Sequence, residues 1–226
     1  MKFAIIVPAR KGSKSLKDKN LKKIKNKKLI EYTFSQIEKF KFNKYVLSND
    51  TRILKLSKKY KINNDYKRPE SLSKSTSSTV ETINHFANWL KHNDSSISEL
   101  VILQPTSPLR TRDDILKSID IYKKNKFSSL FSISESIEHP YETINVKNLK
   151  RYSWSYVLPK SKKFYRRQDF DIKSYFINGA IYIINISKLI KYKSIITNKH
   201  GFYVMNKSNS LDINDIDDFK IASKLI

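Results

Sequence analysis

The chain has 226 residues, no cysteine and a formal net charge of +24, and 39% of its residues are hydrophobic. This composition excludes disulfides and thiolate chemistry, and no apolar run approaches the ~18 residues of a membrane-spanning helix. The length fits one α/β domain, and the lack of a secretory hydrophobic region at the N-terminus predicts a cytoplasmic protein.

The charge alone would favour a nucleic-acid ligand, but the lysines are spread over most of the chain. No arginine-rich tract or RNA-binding signature occurs in the sequence. We therefore interpret the charge as a compositional bias that would attract anionic substrates, with DNA or RNA binding as the alternative.

Hydrophobic spacing along the chain alternates short apolar runs with stretches of helical periodicity. The predicted strands cover residues 3–7, 44–48, 61–66, 100–103, 127–133, 180–184 and 202–205, and the predicted helices cover residues 29–40, 53–60, 79–90, 113–122 and 215–225. This alternation predicts a mostly parallel sheet with helices on both faces, in which ligands bind beyond the carboxyl ends of the strands. Between about residues 135 and 177 the periodicity is lost and aromatic and basic residues prevail. We expect that stretch to leave the sheet as an extension or oligomerisation arm.

The loop that follows the first predicted strand combines cations with small residues. It carries Arg10, Lys14 and Lys19 around Gly12 and Ser13. Glycine lets the backbone approach an anion closely, consecutive N–H groups form anion-binding nests, and arginine adds a bidentate fork. We therefore predict a phosphate-binding loop, with a basic surface loop as the alternative. The chain has no Gly-x-Gly-x-x-Gly motif and no Walker lysine loop, which excludes the usual dinucleotide and P-loop sites.

A second polar loop follows the predicted strand at residues 100–103. Residues 104–110 read Gln-Pro-Thr-Ser-Pro-Leu-Arg, so two prolines hold the polar groups. A rigid polar loop suits recognition of a sugar or a base, because its conformation costs less to fix on binding. An ordinary strand-to-helix connection is the alternative. In a parallel sheet the two loops share an edge, which places Arg10, Lys19, Asp50 and Gln104 around one crevice.

Two further groups of polar residues lie in the C-terminal half of the chain. Arg166 and Arg167 could clamp a carboxylate or a phosphate, or form a solvated basic patch. Asp212 and Asn214 alternate on one side of a short extended stretch, which lets their oxygens share a hard cation such as Mg²⁺. Capping of the last predicted helix by Asn214 or Asp215 is a second role that is compatible with the first.

Six segments in this order resemble the acylneuraminate cytidylyltransferases, also called CMP-sialic acid synthetases. They are residues 6–14 with Lys19–Asn20, Arg68–Pro69, residues 103–110, Arg167–Gln168, residues 178–182 and residues 210–213. The resemblance implies a nucleotide-diphospho-sugar-transferase-like (Rossmann-like) α/β fold and a homodimer with a small dimerisation extension. It also implies Mg²⁺-dependent transfer of CMP from CTP to a nine-carbon α-keto acid, with release of pyrophosphate.

The same resemblance implies roles for individual residues. Those expected to bind the nucleotide are Arg10, Gly12, Ser13, Lys14, Lys19, Asn20 and Arg68. Those expected to bind the sugar are Gln104, Arg167, Asn178 and Tyr182. Asp212 and Asn214 would bind the metal, and the expected catalytic residues are Arg10, Lys19 and Asp212.

Three positions depart from the family pattern. Asn214 stands where the family has the second aspartate of an Asp-Ile-Asp motif, and an amide oxygen coordinates metal without adding charge. Ser75 stands where an aspartate is usual, and Phe176 occupies a position where some members carry an arginine. The identity of the sugar therefore stays open. The alternatives are a nucleotidyltransferase for Kdo or another sugar, and a catalytically weak nucleotide-sugar binder.

Overall fold

The computed structural model describes residues 1–12, 16–74, 77–148, 151–158 and 173–226. Its strands are β1 (Phe3–Pro8), β2 (Lys23–Ile24), β3 (Lys27–Lys28), β4 (Asn43–Leu47), β5 (Glu99–Leu103), β6 (Ser129–Glu135), β7 (Ile144–Asn148), β8 (Ser153–Tyr156), β9 (Tyr175–Asn185) and β10 (His200–Val204). Its α-helices are α1 (Leu29–Ile37), α2 (Thr51–Lys59), α3 (Thr79–Asn93), α4 (Arg112–Lys124), α5 (Ile186–Tyr192) and α6 (Ile216–Leu225). Within the described residues, no helix combines the length and the apolar surface that crossing a bilayer requires.

Six of these strands form one central sheet in the order β10-β6-β9-β5-β1-β4. Strand β9 runs antiparallel to β5 and β6, whereas the other pairs are parallel. The chain leaves β6 at Glu135 and re-enters the sheet opposite it at Tyr175, so β9 has to run back along β6. The prediction of a mostly parallel sheet is confirmed.

The central strands β1 and β5 are buried along their whole length. Side chains of a strand point alternately to its two faces. In β1, Ile5 and Val7 join an apolar cluster with helices α1, α2 and α4, while Ala4 and Ile6 join a second cluster with α3 and α5. A strand that is covered on both faces has a continuous apolar sequence. The predicted placement of helices on both faces is thus confirmed.

Two parts of the predicted element order are wrong. Residues 61–66 form no strand but contribute a single bridge between Asn63 and Tyr45, and Lys61 interrupts the extended backbone with a left-handed φ of 53°. Helix α5, which the hydrophobic spacing did not indicate, begins after Asn185. The side chain of Asn185 caps this helix by accepting a hydrogen bond from the Lys188 N–H.

An antiparallel ribbon of β7 and β8 lies between β6 and β9 in the chain and forms a sheet of its own. Its Trp154 and Tyr156 side chains are 51% and 39% exposed, and their rings meet edge to face at 5.1 Å between centroids. Residues 159–172, which include Arg166 and Arg167, lie outside the described residues. A role of this stretch in dimerisation stays a prediction.

Glu99 is a buried carboxylate at the amino end of β5, where the strand begins. It accepts hydrogen bonds from the Tyr122 hydroxyl and, at 3.0 Å, from Asn185 Nδ2. Burial nevertheless raises the pKa of Glu99, so the folded protein favours its protonated form. The resulting contribution to stability is complete below the ordinary glutamate pKa of ~4.3 and is lost as the pH rises through the raised pKa of the folded state.

We expect Glu99→Gln to become more stable relative to the wild type as the pH rises from about 4 to about 7, because its neutral amide avoids ionising a buried carboxylate. Urea unfolding at a series of pH values measures the two free energies of unfolding. Glu135→Gln, at an exposed position, serves as the control. A constant difference between Glu99→Gln and the wild type across this range would contradict the prediction.

Candidate functional site

An open cavity lies beyond the carboxyl ends of β1 and β5, at the edge of the sheet where the sequence predicts ligands. The residues that line it are Pro8, Arg10, Gly12, Lys19, Asn20, Arg68, Ser77, Thr79, Thr82, Gln104, Pro105 and Thr106. The fold therefore brings together polar residues from three separate loops. Six of them are site residues that the sequence analysis had named, namely Arg10, Gly12, Lys19, Asn20, Arg68 and Gln104.

The loop after β1 is anchored to the neighbouring loop between β4 and α2. The Lys11 N–H donates to Asn49 Oδ1 at 2.8 Å. Arg52 bridges the two loops, because its guanidinium lies 2.9 Å from Asp18 Oδ1 and 2.7 Å from Asp50 Oδ2. Gly12 has a φ of +71°, a left-handed conformation that suits glycine. These contacts fix the ends of the loop that carries the cations.

Asp50 was expected around the same crevice, and the structure gives its carboxylate a different partner. The side chain is 3% exposed and caps helix α2 by accepting from the Arg52 N–H. Its second bond to the Arg52 guanidinium holds the pKa of Asp50 below its usual range. Asp50 lines a smaller pocket next to Arg10 and Lys19 rather than the main cavity. Its contribution is to hold the loop.

Lys19 links the two ends of the chain at this cavity. Its ammonium donates to the backbone carbonyl of Ile213 at 2.7 Å. Burial lowers the pKa of Lys19, and the nearby Asp212 and Asp218 carboxylates oppose that shift. A half-buried cation at this position can attract an anionic group of a ligand while it stays bonded to the C-terminal segment.

The segment that carries Asp212 is fastened to the loop after β5. The Ile213 N–H donates to the Thr106 carbonyl at 2.8 Å, and the Ile213 side chain is fully buried against Ile24 and Leu29. Burial, with a smaller contribution from the Asp212 charge, raises the pKa of the Tyr182 phenol. Asp212 precedes the residue whose carbonyl bonds the Lys19 ammonium, whereas neither Asp212 nor Tyr182 lines the cavity itself.

The capping role predicted for this segment falls to Asp215. Its carboxylate accepts from the backbone N–H groups of Asp217 and Asp218 at the start of α6. Asn214 is exposed, and its own N–H donates to Asp218 Oδ2 at 2.8 Å. The Asn214 backbone thus joins the hydrogen-bond network at the start of α6, while the cap itself is the Asp215 carboxylate.

The residues present fit a metal ion that is shared with a ligand. Within the part of the chain that the structure describes, no three acidic or histidine side chains converge into a complete metal cage. Mg²⁺ usually keeps several waters and is held by one or two carboxylates together with substrate phosphates. Asp212 supplies one carboxylate beside a cationic cavity, and Asn214 supplies a neutral oxygen. This donor set matches that pattern.

Another part of the cavity lining consists of Arg68 and the start of helix α3. Arg68 is 8% exposed, and its guanidinium donates to the Leu72 carbonyl through Nε and Nη2 at 3.3 and 2.6 Å. Thr79 and Thr82 of α3 add hydroxyls to this part of the lining. The sequence analysis missed both threonines, since the helical spacing of residues 79–90 gave no sign of which turn faces a ligand. Asn20 contributes a buried Oδ1 without a hydrogen-bond partner in the described structure.

Four of the predicted site residues lie elsewhere or cannot be placed. Asn178 is a correction to the predicted sugar contacts, because its Oδ1 accepts from Ser132 Oγ at 2.6 Å and from the Ala180 N–H at 3.2 Å. Its amide is 3% exposed and braces β6 against β9. Three other residues with predicted site roles lie outside the described residues, namely Ser13, Lys14 and Arg167.

The sequence matches the family model described as cytidylyltransferase over residues 4–213. It is 32% identical over 225 residues to an N-acylneuraminate cytidylyltransferase of Streptococcus agalactiae, with 97% of this chain and 52% of that protein covered. It is 27% identical to a CMP-N,N'-diacetyllegionaminic acid synthase of Legionella pneumophila, with 100% and 97% covered. The chain spans about half the length of the Streptococcus relatives and nearly the full length of the Legionella one.

Solved structures with the same fold include nucleotidyltransferases of low sequence identity. A CMP:2-keto-3-deoxy-manno-octonic acid synthetase complexed with CTP superposes with a TM-score of 0.70 at 13% identity, covering 100% of this chain and 98% of that one. A 4-diphosphocytidyl-2C-methyl-D-erythritol synthase from Anaerococcus prevotii gives 0.64 at 13% identity, with 99% and 97% covered. These likenesses confirm the predicted Rossmann-like fold class.

Proposed function

The chain belongs to the cytidylyltransferase family, and on that premise we propose that it transfers CMP from CTP to an acylneuraminate or a related nine-carbon α-keto acid. The observation that carries the proposal is the cavity in which Arg10, Lys19, Arg68 and Gln104 meet at the carboxyl edge of the sheet. The names of the relatives from Streptococcus and Legionella support an acceptor of this class.

In the proposed reaction, the anomeric hydroxyl oxygen of the acid forms a bond to the α-phosphorus of CTP. The bond from that phosphorus to the oxygen that bridges to the β-phosphorus breaks, and pyrophosphate leaves with the electron pair. The hydroxyl proton passes to solvent. No covalent intermediate with the protein is required, so the protein contributes positioning and charge.

Arg10 and Lys19 contribute the charge in this proposal. Both line the cavity, and Lys19 is held in place by its bond to the Ile213 carbonyl. Fixed cations beside the triphosphate stabilise the negative charge that develops on the leaving pyrophosphate. When bound, Mg²⁺ would neutralise further phosphate charge, and Asp212 and Asn214 are the residues that would hold it.

Gln104 and Tyr182 are the proposed contacts to the acceptor acid. Gln104 lines the cavity on the loop after β5, and Tyr182 lies on the neighbouring β9. We propose that Tyr182, whose phenol feels the charge of Asp212, helps to place the acceptor hydroxyl near the metal. Arg68 and Asn20, which also line the cavity, are the proposed contacts to the nucleotide.

A homodimer is part of the proposal. Apolar side chains stand exposed on the β9 and β10 side of the sheet, where Phe176 is 45%, Phe202 56% and Val204 49% exposed. The exposed rings of the β7–β8 ribbon extend the apolar surface of this region of the chain. Burial of such side chains in a second copy would remove them from water.

The substrate panel is the experiment that tests the proposed function. Purified protein is incubated with CTP, Mg²⁺ and each of several acids, namely N-acetylneuraminic, legionaminic and pseudaminic acid and the eight-carbon Kdo, and pyrophosphate release is measured. We expect release with at least one nine-carbon acid. Pyrophosphate release with Kdo alone would support the alternative acceptor class. CTP binding without pyrophosphate release for any acid would contradict the proposed activity.

A further inference from the structure

Arg110 ends the polar loop that follows β5, and it is the largest fully buried side chain of the described residues, at 1% exposed. Its four hydrogen bonds go to uncharged oxygens, and its Nε has no partner in the described structure. Burial lowers the pKa of Arg110 to about 9, so the side chain is still charged at neutral pH. A buried charge that is not bonded to a carboxylate lowers the stability of the folded protein. This cost indicates that Arg110 has a role other than packing.

The guanidinium joins three elements. Nη1 donates to the Gln104 carbonyl at 3.0 Å and to the Ala180 carbonyl of β9 at 2.7 Å. Nη2 donates at 2.9 Å to Thr33 Oγ1 and at 2.9 Å to Gln36 Oε1, both on helix α1. The planar fork of arginine holds all four oxygens in one fixed arrangement, which a lysine ammonium cannot do.

The same loop supports the two sides of the candidate site. Its first residue, Gln104, lines the cavity, and its third, Thr106, accepts the hydrogen bond from the Ile213 N–H that fastens the Asp212 segment. Gln36 holds the loop a second time by donating to the Pro108 carbonyl at 2.9 Å. A shift of this loop would therefore move the Gln104 side chain and the Asp212 carboxylate together.

We propose that Arg110 is a positioning residue, which fixes the loop of residues 104–110 so that Gln104 faces the acceptor and Asp212 stays beside Lys19. The inference rests on the proposed function for what Gln104 and Asp212 do there. Misplacement of a substrate-contacting group by about 1 Å costs on the order of 10²-fold in rate. Loss of the Arg110 hydrogen bonds should therefore have a measurable kinetic effect.

The kinetic test compares Arg110→Met with Thr33→Val. Arg110→Met removes all four hydrogen bonds of the guanidinium. Thr33→Val removes one of them and leaves the bonds to the Gln104 and Ala180 carbonyls. We expect Arg110→Met to raise KM for the acid by ~10-fold or more and to lower kcat, with the Kd for CTP within about twofold of the wild type. Thr33→Val should lower the melting temperature and leave KM for the acid unchanged. Unchanged KM in both variants would overturn the proposal.

Amide hydrogen exchange tests whether Arg110 holds the loop of residues 104–110, and it requires no catalytic turnover. The reporters are the Ile213 amide, which is bonded to the Thr106 carbonyl, and the Ser107 amide within the loop, with amides of β1 as the reference for global opening. We expect exchange of both reporters to accelerate in Arg110→Met but not in Thr33→Val, relative to β1. Equal exchange in the two variants would overturn the proposal.

If Arg110→Met does not fold, Arg110→Lys replaces it, and it should accelerate exchange because an ammonium cannot bond all four oxygens. One further outcome separates this inference from the proposed function. If the wild type turns over no acid while the reporters still accelerate, the proposed function fails and the positioning role of Arg110 is supported.

Discussion

Replacement of Lys19 by alanine is expected to lower kcat/KM for CMP transfer by ~10²–10³-fold, the scale of losing a preorganised charge contact to a transition state. The Lys19 ammonium lines the cavity and is fixed by the Ile213 carbonyl at 2.7 Å, so it requires no rearrangement to meet a developing negative charge. Arg10→Ala should act in the same direction and raise the barrier by about 3 kcal/mol.

Lys17→Ala is the matched control for both variants, because Lys17 is an exposed lysine two residues before Lys19. It removes the same charge from the same loop and should leave kcat/KM nearly unchanged. Steady-state kinetics with CTP and the preferred acid give the comparison, and thermal unfolding shows that each variant is folded. Equal losses in Lys17→Ala and Lys19→Ala would mean that the general field of this basic protein, rather than a positioned ammonium, attracts the nucleotide.

Replacement of Asp212 by alanine is expected to abolish the proposed Mg²⁺-dependent turnover, with a loss of ~10³-fold or more. The charge of Asp212 contributes to the pKa of both Lys19 and Tyr182. Without it, the proposed metal would keep only the neutral Asn214 oxygen and ligand phosphates. Conversely, Asn214→Asp adds a second carboxylate and should lower the Mg²⁺ concentration at half-maximal rate.

A titration of rate against Mg²⁺ concentration measures both effects in one experiment. Asp217→Asn is the control, since Asp217 is exposed and pairs with Lys220 at 2.9 Å on the same helix. The control should follow the wild-type curve. If Asp212→Ala keeps the wild-type curve, the metal is held elsewhere.

The sequence was sufficient to predict the two loops at the edge of the sheet. Each follows a continuous apolar strand, and parallel neighbours bring the carboxyl ends of such strands to one edge. For that reason the sequence places Arg10 and Gln104, which lie 94 positions apart, around one crevice, and the structure confirms that both line the same cavity. The alternation of Asp212 and Asn214 indicated a cation site, but nothing in that local pattern indicates that Ile213 pairs with Thr106 at this edge of the sheet.

Two side chains show where the sequence was insufficient. The family resemblance implied a sugar contact for Asn178, yet its position on β9 turns the amide toward Ser132 inside the sheet. The bulge between Phe131 and Ile133 shifts the register of β6 against β9, and such a shift decides which face a residue occupies. Arg110 had no predicted role of its own, and the packing of three elements around it explains its burial.

The bond between the Lys19 ammonium and the Ile213 carbonyl joins residues 194 positions apart. The loop after β1 therefore depends on a segment far from it in the sequence, because Ile213 is in turn bonded to the Thr106 carbonyl. Contacts of such long range form late, because closing the intervening loop costs entropy before it gives any stability. A chain that lacks residues 210–226 should therefore fold its central strands and still be unable to fix the Lys19 ammonium. Activity would thus report whether the segment around Ile213 is present and docked.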